Sequence, residues 1–151
     1  MYVTRILRFA SGTVNKLLVT LATPYESCLN SVTAKSVTLP GQEGYFTLTA
    51  GHCPLISQLK PGVATVVTET GDQKFFISGG FAFYKANMFG DEGCTAHIST
   101  LEAVSLDKLD KERAVQTMQE LLEGCQKDKW SKVKSHLGHE LCSAVIKAAS
   151  N

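Results

Sequence analysis

SVTLPGQEGYFTLTAGHCPLISQLKPG, residues Ser36 to Gly62, is the stretch on which the fold turns. Pro40-Gly41 and Gly44 cut it into a tight turn, and an alternating apolar run of Tyr45, Phe46 and Leu48 follows. A Gly51-His52-Cys53-Pro54-Leu55 corner then leads to Lys60-Pro61-Gly62. Gly supplies unusual backbone dihedrals, and Pro fixes φ while biasing its neighbour towards extended geometry. The pattern predicts a corner-rich β segment held in one conformation. Further on, Lys74 to Phe81 reads as a strand that ends in the paired glycines Gly79-Gly80 and runs into a second apolar strand.

On either side of that segment, short runs of β-formers alternate with turn residues at the intervals of an all-β sandwich. The expected strands are Lys16–Thr23, Tyr25–Leu29, Val32–Leu39, Gly44–Thr49, Gly62–Thr68, Gln73–Ser78, Phe81–Lys85 and Thr95–Ser99. Thr70-Gly71-Asp72 is the clearest hairpin turn, and Asn87 to Cys94 reads as a loop or bulged edge. After about Leu101 the period lengthens towards 3.6 residues. Leu106, Leu109, Met118, Leu121, Leu122 and Cys125 suggest a first helix capped by Ser105 or Asp107, with a break near Gly124. Trp130, Val133, Leu137, Leu141, Val145 and Ala148 form the apolar stripe of a second helix, which is expected to pack against the first with Trp130 buried. The fold class is therefore mainly β with an α appendage: an arm over 1–15, a β-sandwich over 16–100 and an antiparallel αα-hairpin over 101–151.

A chain of 151 residues, 44% hydrophobic, buries roughly two-thirds of its unfolded surface. Its net charge of +1 argues against nucleic acid as a partner. The five cysteines are odd in number, widely spaced and without a C-x-x-C pair, so they suggest neither a disulfide framework nor a zinc site. The longest apolar runs fall far short of the roughly 20 residues a membrane-spanning helix needs. The first residues, with Arg5, Arg8 and Lys16 and no acid before Glu26, resemble a mitochondrial presequence in charge and hydroxyl content. A basic amphipathic arm is the plainer account of the same residues.

Candidate chemistry is sparse. Cys53 beside His52 suggests a thiolate and imidazole pair, but adjacent residues in a strand point to opposite faces. His136 and His139 share a helix face without a supporting Cys or carboxylate, which favours solvated side chains over a metal site. Lys127, Lys129, Lys132 and Lys134 give the second helix a basic opening, read either as a solvated face or as a steering surface for an acidic partner. The glycines form no phosphate loop, and Ser78-Gly79-Gly80 lacks the strand-to-helix setting of a nucleophile elbow. No catalytic residue, cofactor or metal is expected.

Gly41-Gln42-Glu43-Gly44, Gly51-His52-Cys53-Pro54-Leu55, Pro61-Gly62 and Phe76-Ile77-Ser78-Gly79-Gly80-Phe81, taken together, resemble the small rotor subunit at the foot of the ATP synthase central stalk. That subunit is called delta in mitochondria and epsilon in bacteria and chloroplasts. The likeness runs from about Leu17 to the C-terminus and departs from common family forms at Thr47 and Ala50, where Gly and Pro often stand. It implies a β-sandwich with a helical hairpin, no catalysis, and a location on the matrix side of the mitochondrial inner membrane. It also implies three partners: the gamma-type central shaft, the membrane proteolipid ring and the small epsilon-type mitochondrial stalk subunit. Gln42, Glu43, Gly44, Tyr45 and His52 are then the candidate ring or shaft contacts, with Gly41, Gly51, Pro54, Pro61, Gly62, Gly79 and Gly80 shaping the turns. Leu109-Asp110-Lys111-Glu112-Arg113-Ala114 matches a motif that contributes to regulatory ATP binding in some bacterial relatives. Asp110 and Arg113 are accordingly candidate ATP contacts in an alternative role, an ATP-sensing hairpin that controls hydrolysis. The structural reading is an i,i+3 ion pair in an amphipathic helix.

Overall fold

The computed structural model describes residues 16–86, 93–123 and 129–150. Ten strands come first: β1 Leu17–Ala22, β2 Ser27–Ala34, β3 Ser36–Gly41, β4 Gly44–Thr49, β5 Leu55–Leu59, β6 Gly62–Val67, β7 Asp72–Ile77, β8 Gly80–Lys85, β9 Cys94–Thr100 and β10 Ala103–Ser105. A 3-10 turn, Leu106–Lys108, leads to helices α1 Lys111–Glu123 and α2 Lys129–Ala148. The arm expected over 1–15, residues 87–92 of the loop or bulged edge expected over Asn87 to Cys94, and the break near Gly124 lie outside the described residues, while Cys94 belongs to β9.

The hydrogen-bonded order is β10-β7-β6-β3-β5-β8-β9-β1-β2, with β4 also on β3. Between β3 and β5 the ladder narrows to one pair, Gly41 with Leu59. Five strands therefore lie on each side of that junction, and the two sets fold together as a sandwich. All pairings are antiparallel except β1 with β9. Period-2 alternation supplies the core: Leu17, Val19 and Leu21 of β1 are fully buried, as are Val37 and Leu39 of β3, Leu48 of β4 and Ala64 and Val66 of β6. Each fully buried Leu, Ile or Val stabilises the fold by about 1.5–3 kcal/mol.

The β6–β7 hairpin turns where Gly71 reaches φ +141, and the Thr68 hydroxyl closes it by donating to the Gly71 carbonyl at 2.6 Å. Three boundaries differ from the sequence expectation. The segments anticipated at Tyr25–Leu29 and Val32–Leu39 regroup as β2 and β3. β2 is continuous through Ser31, whose φ of 50 marks an irregularity and whose N–H donates to Thr20 Oγ1 at 3.2 Å. β5 was hidden by its flanking prolines, Pro54 and Pro61, and β10 extends the sheet past residue 100 by pairing with β7.

The helices also start and pack differently. Ser105 opens only the 3-10 turn and makes no side-chain cap; Leu109 is extended, at φ −81 and ψ 129, and interrupts helix formation. The cap of α1 is Asp110, whose carboxylate accepts the Arg113 N–H at 3.0 Å. α2 meets α1 through small residues rather than through the large apolar stripe. Ser135 and Cys142 are buried, and Gly138 sits against Leu121. Residues spaced 135, 138 and 142 share one helix face, about 120° away from that of Trp130 and Leu137. Close helix approach selects the face without bulk, which leaves Trp130 70% exposed, Val133 47% and Leu137 59%.

Candidate functional site

The hairpin tip between β3 and β4 is built by Gly41 and Gly44, which pair across it, leaving Gln42 and Glu43 exposed at the turn. Tyr45 is next and remains 63% exposed. Gln42 donates its N–H to the Gln58 carbonyl at 3.2 Å, and Lys60 Nζ reaches the Gln42 carbonyl at 3.5 Å, so the tip is tied to β5. Gly62 explains why Pro61 is followed by glycine: a Cβ there would stand 2.9 Å from Pro40 Cβ and 3.1 Å from the Tyr45 hydroxyl. A shallow depression of about 240 Å³ lies beside the tip, lined by Gly41 to Phe46 and Ser57.

His52 does not join this cluster. It lies beyond the other end of β4, whose six residues, five steps of about 3.3 Å, separate the two places by roughly 17 Å. Its ring meets Tyr84 edge-on, with centroids 5.6 Å apart and planes at 78°. Gly51, at φ +91, and Pro54 frame the corner. Because His52 and Cys53 sit outside any strand, the strand argument that separated them does not apply, and Cys53 Sγ approaches His52 Nδ1 to 3.8 Å. That nitrogen lies 2.9 Å from the Cys53 carbonyl, an acceptor only, so it carries its proton there and is no base for the thiol. Tyr84, 4% exposed, donates to the Thr49 carbonyl at 2.9 Å. Burial, with Cys94 beside it, pushes the Tyr84 phenol up to about 12.

The strand ends at Gly79 and Gly80 bring β8 hard against β9. Both glycines have positive φ, and a Cβ on Gly80 would collide with the Ser99 carbonyl. From this crossing β8 carries Phe81 and Phe83 outward, opposite Gln58 and Ile56 of β5. Ile56 is 72% exposed, Phe81 50% and Phe83 43%, with the two rings 6.5 Å apart. The sandwich thus carries an apolar face directed at solvent.

Asp110 and Arg113 are three residues apart, as the ATP motif requires, but the Asp110 carboxylate is engaged as the cap of α1. Arg113 is exposed. Among the described residues, no three His, Cys, Asp or Glu side chains cluster as a metal site.

The family profile described as ATP synthase, Delta/Epsilon chain, beta-sandwich domain matches residues 16–89. Residues 16–89 belong to the delta/epsilon-chain β-sandwich family of ATP synthases. The mitochondrial ATP synthase F(1) complex subunit delta of Dictyostelium discoideum is 44% identical over 104 residues, which are 68% of this chain and 58% of that one. The chain therefore matches a little over half the length of that curated relative. A chain in the Euglena gracilis mitochondrial ATP synthase structure, OSCP/F1/c-ring, superposes with a TM-score of 0.78 at 28% identity, covering 95% of this chain and 87% of its own. A chain of the Tetrahymena thermophila mitochondrial ATP synthase central stalk and c-ring has the same fold, with a TM-score of 0.69 at 18% identity over 89% of this chain and 97% of its own.

In this delta/epsilon sandwich the outward face of Ile56, Phe81 and Phe83 was not among the residues expected from the sequence. The available signal was alternation in Gly80-Phe81-Ala82-Phe83-Tyr84: Ala82 and Tyr84 are buried, so the two phenylalanines must face out.

Proposed function

We propose that this chain is a non-catalytic rotor subunit of the proton-translocating mitochondrial ATP synthase, coupling rotation of the membrane ring to the central shaft and catalytic head on the matrix side of the inner membrane. The observation that carries the reading is the Ile56, Phe81 and Phe83 face on a sandwich of this family. Three large apolar side chains displayed together on a rigid sheet suit a permanent, hydrophobic subunit interface better than free solvent. In this reading the apolar face meets the gamma-type shaft, and the exposed Gln42-Glu43-Gly44-Tyr45 tip meets the ring of proteolipid subunits. His52, at the other end of β4, supports the corner through Tyr84. The helical hairpin is covered by the small epsilon-type stalk subunit. Torque transfer asks for stiffness, and a close-packed core of fully buried Leu, Ile and Val residues resists shear.

The hairpin motif is structural in this reading. Asp110 caps α1, and Arg113 alone supplies too few convergent donors for a polyphosphate. Native gel electrophoresis of a tagged chain from mitochondria tests the assignment. The tag is expected to migrate with a complex that has oligomycin-sensitive ATPase activity; a tag found only on free subunit or in an unrelated complex overturns it.

A further inference from the structure

The sheet that displays Ile56, Phe81 and Phe83 is built from β5, β8, β9, β1 and β2, in that order. Its register lines the outward side chains up in rows. Ile56 of β5 stands opposite Phe83 of β8, Phe83 opposite His97 of β9, and His97 opposite Thr20 of β1. Cys94, Ala96, Ile98 and Thr100 of β9 are buried, so alternation turns His97 outward on the side of Phe83, where it is exposed. Directly opposed residues of an antiparallel pair hold their Cβ atoms about 4.5–5.5 Å apart, which sets the imidazole beside the Phe83 ring. β9 is the middle strand of the five. A histidine therefore stands within the face and not at its rim.

The charges around it have one sign. β5, β1 and β2 contain no acidic or basic residue, and no carboxylate occurs in any of the five strands. β8 adds Lys85, which pairs with Thr95 and so lies diagonally from His97 on the same face. Tyr84 of β8 and Cys94 of β9 are turned into the core. On β1, Thr20 Oγ1 accepts the Ser31 N–H at 3.2 Å. A neutral imidazole suits an apolar partner laid over this face. A protonated one, covered in the same way, has Lys85 as its charged neighbour and no carboxylate of its own sheet to balance it, and burying such a charge is costly.

We infer that docking of this face on the gamma-type shaft is proton-sensitive, with His97 as the sensor: the docked state takes the neutral imidazole, and proton uptake at His97 favours release. Histidine is the side chain whose ordinary charge change falls between about pH 5 and 8, so the response lies near neutrality. Its sign follows from linkage. Docking excludes a proton, so the full affinity is present at the alkaline end of that range and is lost as pH falls. The inference rests on the reading that the Ile56, Phe81 and Phe83 face meets the shaft, and it adds a regulation of that interface.

The test measures binding of the full chain to the purified complex of shaft and catalytic head stripped of this subunit, at constant ionic strength. The unmodified chain is expected to bind about tenfold more weakly at about pH 6 than at about pH 8, the effect of one unit of proton linkage. His97→Gln, neutral at every pH, should bind nearly alike at both. His97→Lys, charged at both, should bind weakly throughout. Circular dichroism of each variant should match the unmodified chain, because the side chain is outside the core. A pH response that survives unchanged in His97→Gln overturns the inference, as does an affinity that rises towards acid, which would place a carboxylate of the shaft against His97. Phe81→Ser with Phe83→Ser separates the two levels of the argument. Full binding by that double variant, or no binding by the unmodified chain at either pH, overturns the shaft reading and the inference with it. Binding that needs the two phenylalanines but is indifferent to His97 leaves the shaft reading standing and removes the sensor alone.

Discussion

Leu121 of α1 occupies the space in which a Cβ on Gly138 of α2 would stand, its Cδ1 2.5 Å from that point. Next to it, the Ser135 hydroxyl donates to the Leu121 carbonyl at 3.1 Å. Glycine inside a helix costs about 1 kcal/mol relative to alanine. Gly138→Ala should recover that propensity and lose a similar amount by displacing Leu121, for a net change within about 0.5 kcal/mol. In a Leu121→Ala background the same substitution should stabilise the hairpin by about 1 kcal/mol. Urea unfolding of the four proteins, followed by helical circular dichroism, measures the difference; strict additivity would place the two residues out of contact.

Gly80 is expected to be the least replaceable turn glycine. Alanine there adds backbone strain at φ +149 and drives Cβ into the Ser99 carbonyl, which belongs to a central ladder and cannot move aside. Gly71, at φ +141, faces open space, so Gly71→Ala carries only the strain, about 1–3 kcal/mol. Gly80→Ala should destabilise by at least about 2 kcal/mol more than Gly71→Ala in chemical denaturation. Equal losses would show that β8 and β9 stand further apart at this crossing.

Trp130→Ala should cost less than about 1 kcal/mol in the isolated chain, since the ring is 70% exposed. Leu48→Ala, at a fully buried site, should cost about 2–5 kcal/mol. The contrast is read from unfolding midpoints of the two variants. A loss at Trp130 of the core size would bury the indole and remove the open stripe of α2.

Tyr84 links stability to alkaline pH. Its phenol is raised from 10.0 to about 12 in the folded chain, by burial first and by Cys94 second, so folding favours the protonated form. The contribution is fully present below about pH 10, where the phenol is protonated in both states. As pH rises from about 10 to about 12, the unfolded phenol ionises before the folded one, and stability falls. Tyr84→Phe should flatten that part of the pH profile relative to the unmodified protein. At neutral pH it should also cost about 0.5–1.5 kcal/mol, because the hydrogen bond to the Thr49 carbonyl is lost while the His52 N–H still donates to that oxygen. Parallel alkaline limbs for the two proteins would exclude Tyr84 as the titrating group.

Most of the strands, the two-helix appendage and the family were legible in the order of residues. Gly and Pro restrict the local backbone, and period-2 alternation in segments such as Leu17–Ala22 sends one set of side chains inward wherever the strand is paired. Pairing partners are not local, which is why β5, enclosed by Pro54 and Pro61, became a strand only through its ladder to β8. The same limit hid the separation of His52 from Gln42 and Glu43. Nearness in sequence suggested one contact site, whereas an extended strand between them carries them to opposite ends of the hairpin. The helices show the limit most directly. A 3.6-residue period correctly marked Trp130, Val133 and Leu137 as one apolar face, and hydrophobicity alone would bury it. The face that packs is decided by how closely two helix axes can approach, and Gly138 against Leu121 allows α2 to approach only on its other side, leaving the tryptophan stripe in solvent.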